Sequence, residues 1–189
     1  MTEHLWLQEL QDRTIRDELD RRHPERVQLR PKDVSGLARA LDVRDAMWDG
    51  TLEHAKQLPP LLLHERVGGE YSFVETFRHL LFAWDSWLTR MVLRVPNAYH
   101  EWAVAPDSLA ESVVELEPEL AVRAERTARI RGYLASATDA DLSTVVSPPD
   151  TTGFPQTDHP VLYCFRVVLN DEWWHHQYAT RDLAALRDQ

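Results

Sequence analysis

Apolar residues recur at alternating steps of four and three along the stretch from Phe165 to Leu186. The positions in this stripe are Phe165, Leu169, Glu172, His176, Ala179, Leu183 and Leu186. Such spacing predicts an amphipathic helix that packs in a bundle. Glu172 and His176 are its charged and polar members, and they share one helical face because they are four residues apart. If this face is buried, the two side chains need each other, another polar group or a metal ion.

The same stretch allows a second register. Its positions are Cys164, Val168, Asp171, His175, Tyr178 and Asp182. Asp171 and His175 are also four residues apart, but their stripe carries a second acid, Asp182, as a partly solvated flank would. We therefore favour the Glu172/His176 register and keep His175 as the main rival ligand.

The N-terminal part of the chain predicts two helices and a connector between them. Residues 3–22 are compatible with a helix but highly charged, and residues 21–31 contain two prolines, which is typical of a connector. The first bundle helix is predicted to open at Asp33 or Ser35, because both are favourable N-cap residues. It stops before Pro59, and a loop or short turn follows.

A second bundle helix is predicted to begin at Ser72, because Ser72 and Glu75 have the spacing of a capping box. It continues to about Arg94, since Pro96 cannot extend it. His79 lies in a narrow stripe whose other members are small: Ser72, Thr76, Ala83 and Ser86. These neighbours leave room around the imidazole, which suits a ligand-bearing position.

The third helix is predicted within residues 111–138, with Pro118 in its first turn or at a break. Its polar side is formed by Arg123, Arg126, Arg129 and Arg131. Residues 138–158 contain three prolines and a glycine, and therefore predict a long connection. Asp158 is predicted to cap the last helix, with Pro160 in its first turn.

Together these elements predict an all-α protein with a single domain over residues 1–189. Residues 1–32 form an extra N-terminal helix and connector, and residues 33–187 form a four-helix bundle with a long loop before the last helix. A length of 189 residues suits one domain with a sizeable core. The six glycines and the lack of a long alternating β-branched run argue against a sheet.

Composition narrows the classes of function. A net charge of −10 argues against a nucleic-acid partner, because phosphate binding needs clustered Lys and Arg. No apolar run reaches the ~20 residues of a membrane span, and the N-terminus lacks a signal-peptide core. The single cysteine, Cys164, excludes an intrachain disulfide, so we expect a cytoplasmic protein with an inert buried thiol.

Second and fourth helices of a bundle lie within reach of each other, so His79 can converge with Glu172 and His176. Two imidazoles and a carboxylate form a common ligand set for Zn²⁺, Ni²⁺ or Fe²⁺. Spacing alone nevertheless favours structural explanations. Glu172 and His176 can form a polar pair bridged to another helix, and His79 can be a satisfied core histidine. The tryptophans are explained by packing: Trp84, Trp87, Trp173 and Trp174.

The segments VETFRHLLFAWDSWL and VVLNDEWWHHQYATRDLAAL resemble two helices of the DinB/YfiT-like superfamily of metalloenzymes. The resemblance extends over most of residues 33–187. It implies a four-helix bundle with a metal held by one histidine of the second helix and two ligands four apart on the last helix. His79 matches the first of these places and His176 the last. Glu172 lies where many members have histidine, and the mycothiol-dependent maleylpyruvate isomerase branch is similar in using a glutamate there.

The resemblance implies a metal- and thiol-dependent enzyme, either a transferase or isomerase acting on a small electrophile or a hydrolase. The cosubstrate would be a low-molecular-weight thiol of the mycothiol type, and the metal Zn²⁺, Ni²⁺ or Fe²⁺. His175, Tyr178 and Arg181 are then candidates for orienting the ligands or contacting substrate. The alternative is a non-catalytic bundle whose polar cluster is structural and whose function lies in self-association, for example as a homodimer, or in partner binding.

Overall fold

The computed structural model of the chain describes residues 12–106, 108 and 114–188. Its α-helices are α1 (Arg13–Arg22), α2 (Val34–Ala55), α3 (Phe73–Trp84), α4 (Leu116–Leu134), α5 (Asp139–Leu142) and α6 (Val161–Arg187). Two 3-10 helices cover Pro24–Leu29 and Pro60–His64, and the two-residue strands β1 (Val145–Val146) and β2 (His159–Pro160) pair antiparallel. The prediction of an all-α protein is confirmed. In the described part of the chain, every helix is too short or too polar to cross a bilayer.

Four helices form the bundle. The last helix, α6, packs against α2 and α3, and α4 packs against the same two helices from the other side. Helices α4 and α6 are therefore diagonal partners across the core. Two apolar clusters fill the interior, one including Leu37 and Phe165 and the other including Phe77 and Leu183. The central position of α6 buries residues on more than one of its faces.

Two predicted helix starts are confirmed. The Ser72 hydroxyl accepts a hydrogen bond from the Glu75 N–H, while the Glu75 carboxylate accepts one from the Ser72 N–H. At the start of α2, the Asp33 carboxylate accepts a hydrogen bond from the Gly36 N–H. Both contacts satisfy donors that the first turn of a helix leaves without partners.

The second bundle helix changes geometry at its middle. Regular α-helix ends at Trp84, and residues Asp85–Val92 continue as a π-helix, in which the Leu93 N–H donates to the Leu88 carbonyl. The predicted end near Arg94 is close to the observed one. The wider turn was not predicted, because the apolar pattern of this segment continues without a proline or glycine.

The last helix begins differently from the prediction. Pro160, and not Asp158, occupies the N-cap position, and no side chain caps this end. Residues His159 and Pro160 instead form β2, and the N–H of Val161 donates to the carbonyl of Thr144 at 3.0 Å. The partner strand thus replaces a capping side chain, a long-range contact that the local sequence does not reveal.

The outer segments agree with the predicted order of elements. Helix α1 and the first 3-10 helix lie within the predicted N-terminal helix and connector, although residues 1–11 lie outside the described part. Helix α4 starts at Leu116, with Pro118 in its first turn. Residues 111–113, which the prediction included, lie outside the described part of the chain. The prediction that four arginines form a polar side of this helix was wrong in part, because Arg123 and Arg126 are buried.

Candidate metal centre

Three side chains from two helices converge between α3 and α6. His79 comes from the middle of α3, while Asp171 and His175 lie one turn apart on α6. Their candidate ligand atoms all lie within 4.8 Å of one another. Nε2 of His79 is 3.9 Å from Oδ2 of Asp171, and Nε2 of His175 is 3.5 Å from Oδ1 of the same carboxylate. Asp171 therefore lies between the two imidazoles.

The His79 ring is oriented by the loop that follows α3. Its Nδ1 lies 3.1 Å from the carbonyl oxygen of Val104, and the Val104 N–H donates in return to the carbonyl of Arg78. Because a carbonyl can only accept, Nδ1 carries the proton and Nε2 presents a lone pair to Asp171. Tyr71 stacks on the same ring at 5.1 Å. This arrangement matches the outer contacts that usually orient metal-binding histidines.

Burial sets the charges of the cluster. Burial and the neighbouring His175 lower the pKa of His79 to about 4, although Asp171 opposes the shift. For Asp171, burial would raise the pKa, but the charge and hydrogen bond of His175 and the charge of His79 outweigh it, so the pKa lies below its usual value. At neutral pH the site therefore holds a neutral His79 and an ionised Asp171. These are the protonation states that bind a cation.

The donor set fits a divalent transition metal. Ligands at the usual Zn–N and Zn–O distances of about 2.0–2.1 Å lie roughly 3.3 Å apart in tetrahedral geometry. The three candidate ligand atoms lie within 4.8 Å of one another, so the side chains need to close by no more than about 1.5 Å to reach this value. Two imidazole nitrogens and a carboxylate oxygen leave a further position for water or substrate.

Glu172, predicted as a ligand, belongs to a different cluster. It is 0% exposed, and its carboxylate accepts hydrogen bonds at 2.6 Å from Nε1 of Trp48, Nε1 of Trp84 and Nη2 of Arg123. These donors come from α2, α3 and α4, so one carboxylate joins all four bundle helices. Burial would raise its pKa, but Arg123 and Arg44 hold it below the usual range. Glu172 is thus an ionised anchor of the core.

His176 also lies apart from His79. Its Nε2 is 2.7 Å from the hydroxyl of Thr51, and its ring meets Trp48 edge to face at 5.1 Å. The structure therefore does not assemble the trio His79, Glu172 and His176. It assembles the other register, Asp171 and His175, with His79. The cause is the position of α6 between α2 and α3, which turns the Glu172/His176 face towards α2 and the bundle axis.

The remaining predicted residues lie at or near the cluster. His175, expected to orient ligands, is a member of the cluster itself, and Tyr178 meets its ring edge to face at 5.9 Å. The Arg181 guanidinium lies over the Tyr178 ring and pairs with Asp182. Spacing had already singled out Asp171, but in the register that we did not favour.

Several important contacts were missed because they come from distant parts of the chain. Val104 and Tyr71 contact His79 through loops that carry no motif. Trp48 and Arg123 bind Glu172 across 124 and 49 residues of sequence. The sequence did place Arg123 between apolar neighbours on a helix, and this could have indicated burial. We interpreted the side chain as solvated.

Comparison with known proteins agrees with this architecture. A family model of the DinB superfamily matches residues 44–179, which include α3, α4 and most of α6. Curated proteins and solved structures gave no match. The matched range covers more than half of the chain and contains all three residues of the cluster. The chain therefore belongs to the DinB superfamily.

Proposed function

We propose that this chain is a metal-dependent enzyme whose divalent cation is held by His79, Asp171 and His175. The observation that carries the proposal is the convergence of their ligand atoms to within 4.8 Å. Membership of the DinB superfamily supports it. Zn²⁺ suits the donor set, and Ni²⁺ or Fe²⁺ would be bound by the same ligand types.

The reaction we propose is a transfer or isomerisation that uses a low-molecular-weight thiol of the mycothiol type and a small electrophile. A cation at this site would lower the pKa of a bound water or thiol and so supply a nucleophile near neutral pH. The protein's own residues hold the site ready for this. Val104 orients His79, and the buried Asp171 offers an ionised oxygen. We propose that Tyr178, whose ring meets that of His175, and Arg181, which lies over Tyr178, contact the substrate. A cytoplasmic location and a homodimer complete the proposal.

Metal analysis of matched variants tests the site. Protein purified without chelator or nickel resin should carry stoichiometric metal, and H79A, D171N and H175A should each lose it. H176A is the matched control for H175A, since the two histidines are adjacent on α6, and it should retain the metal. Loss in H176A with retention in H175A would instead support the ligand set favoured by spacing. Metal-free wild-type protein would contradict both.

A second candidate, a non-catalytic bundle, is supported by one observation. The polar pair that spacing singled out includes Glu172, which joins four helices through Trp48, Trp84 and Arg123. A buried polar network can therefore stabilise the fold without taking part in catalysis. Turnover assays separate the two candidates, because an enzyme should consume an electrophilic test substrate only when both metal and thiol are added. Equal rates without either would favour the non-catalytic bundle.

A further inference from the structure

A second site lies on the side of α6 away from the metal centre. A cavity of about 360 Å³ is bounded by α1, the first 3-10 helix and α6. Its charged lining residues are all cations: Arg16, Arg26, Arg30, Lys32 and Arg166. The whole chain has 31 acidic residues against 21 Lys and Arg, so this cavity reverses the overall balance of charge.

The cavity also holds buried hydrogen-bond donors. Trp173 is 2% exposed, and within the described part of the chain its indole N–H has no acceptor. The Nδ2 of Asn170 is likewise buried without an acceptor there, while its Oδ1 accepts from Nη2 of Arg26 at 3.1 Å. Arg26 in turn stacks over the Trp173 ring at 4.3 Å. Because nearly all buried polar groups in proteins have partners, these two donors indicate an acceptor that is not among the described residues.

The positive charge that is not neutralised by a carboxylate of the described residues belongs to two of these cations, Arg166 and Lys32. Arg166 donates from Nε and Nη2 to the carbonyl oxygen of Pro31, which carries no net charge. Burial, followed by the charges of Arg16 and Arg30, lowers the pKa of Arg166. A carboxylate close by is Asp20, which pairs with Arg30. Neither Arg166 nor Lys32 forms an ion pair with any carboxylate among the residues described.

We infer that this cavity binds a small oxyanion of the phosphate or carboxylate class. The Arg166 guanidinium and the Lys32 ammonium are cations that form charge-assisted hydrogen bonds with both kinds of oxyanion, and the N–H groups of Trp173 and Asn170 would add neutral donors. The site is separate from the metal centre, because at 3.6 residues per turn Asn170 and Trp173 point roughly 150° away from Asp171 and His175. The two sites share α6 and no side chain.

Isothermal titration of the intact chain tests this inference. Inorganic phosphate, pyrophosphate and succinate are titrated at constant ionic strength, with sodium chloride as the blank, so that the phosphate and carboxylate classes are distinguished. R166Q and K32Q should each weaken binding by about fivefold or more, since each removes a charge-assisted contact. W173F keeps the ring that stacks on Arg26 but removes the N–H, and should weaken binding by about threefold.

The control is R129Q, which removes an exposed arginine that pairs with Glu125 on α4. It should bind the anion as the wild type does, and so should D171N, which alters the other face of α6. Heat no greater than that of the chloride blank for all three anions would overturn the inference. Equal weakening by R166Q and R129Q would also overturn it, because it would show only a general effect of charge.

Discussion

Asp171 and Glu172 are adjacent on α6, yet their carboxylates belong to separate buried clusters. Asp171 lies 3.5 Å from His175 and 3.9 Å from His79. Glu172 accepts hydrogen bonds from two tryptophans and from Arg123. Successive side chains on a helix point about 100° apart. Asp171 can therefore belong to the candidate metal site while the adjacent Glu172 belongs to the hydrogen-bond network of the core.

Replacement of Glu172 by glutamine should destabilise the fold. The change leaves Arg123 buried without its counter-charge, while Arg44 keeps its ion pair with Asp45. Breaking a buried ion pair in this way costs about 3–5 kcal/mol. Burial and the charge of Arg123 already lower the pKa of Arg44 to about 10. The free energy of unfolding, measured in urea, should fall accordingly. The exposed pair of Glu53 and Lys56 provides the control, since E53Q should change stability by less than about 0.5 kcal/mol.

Glu119 should make stability depend on pH. Its side chain is 0% exposed, and neither oxygen has a hydrogen-bond partner among the described residues. Burial raises its pKa to about 7, although Arg78 and Arg123 oppose the shift. The folded state therefore binds more protons than the unfolded state between the ordinary pKa of 4.5 and pH 7. The contribution of Glu119 to stability is fully present below this window and is lost as the pH rises through it.

The neutral variant E119Q isolates this contribution. The free energy of unfolding of E119Q minus that of the wild type should increase between about pH 4.5 and 7 and then level off, by about 3 kcal/mol in total. Urea unfolding at a series of pH values measures the difference, so that titration of other groups cancels. A flat difference curve would show that Glu119 ionises at its ordinary pKa.

Gly153 should not tolerate a side chain. Its φ is +79°, and an added Cβ would lie 2.6 Å from the hydroxyl of Tyr99. That hydroxyl donates to the Phe154 carbonyl and accepts from the Phe154 N–H. G153A should therefore lower the free energy of unfolding by about 1–2 kcal/mol. Gly132, in α4, has nothing within 4 Å of an added Cβ, and G132A should stabilise by about 0.5–1 kcal/mol. Stabilisation by both changes would contradict the tight approach of Tyr99.

Cys164 should be unreactive in the folded protein. It is 0% exposed, and burial raises the pKa of its thiol to about 12, so the nucleophilic thiolate is scarce at pH 8. A disulfide reagent such as DTNB should label it only when urea unfolds the chain, and then stoichiometrically. Rapid labelling without denaturant would show that the core around α6 opens readily.

The parts of the fold that could be predicted depend on contacts between residues that are only a few positions apart in the sequence. Ser72 and Glu75 cap α3, and Asp33 caps α2, through side chains that reach the adjacent turn. The failed cap at Asp158 shows the limit, since the partner of Val161 is the carbonyl of Thr144 across a strand pair. The apolar stripe of α6 was also predicted correctly as buried, and Glu172 within it is fully enclosed.

By itself the sequence determined an all-α bundle and two rival acid and histidine pairs on its last helix, whereas the convergence of His79 with that helix was inferred from the order of the helices. Only the tertiary structure decided which pair meets His79. Both Asp171 and Glu172 are buried, because α6 packs against α2 and α3 at once. When two faces of a helix are buried, periodicity no longer distinguishes them. The rotation of α6 about its own axis then depends on packing between residues more than a hundred positions apart, such as Trp48 and Glu172.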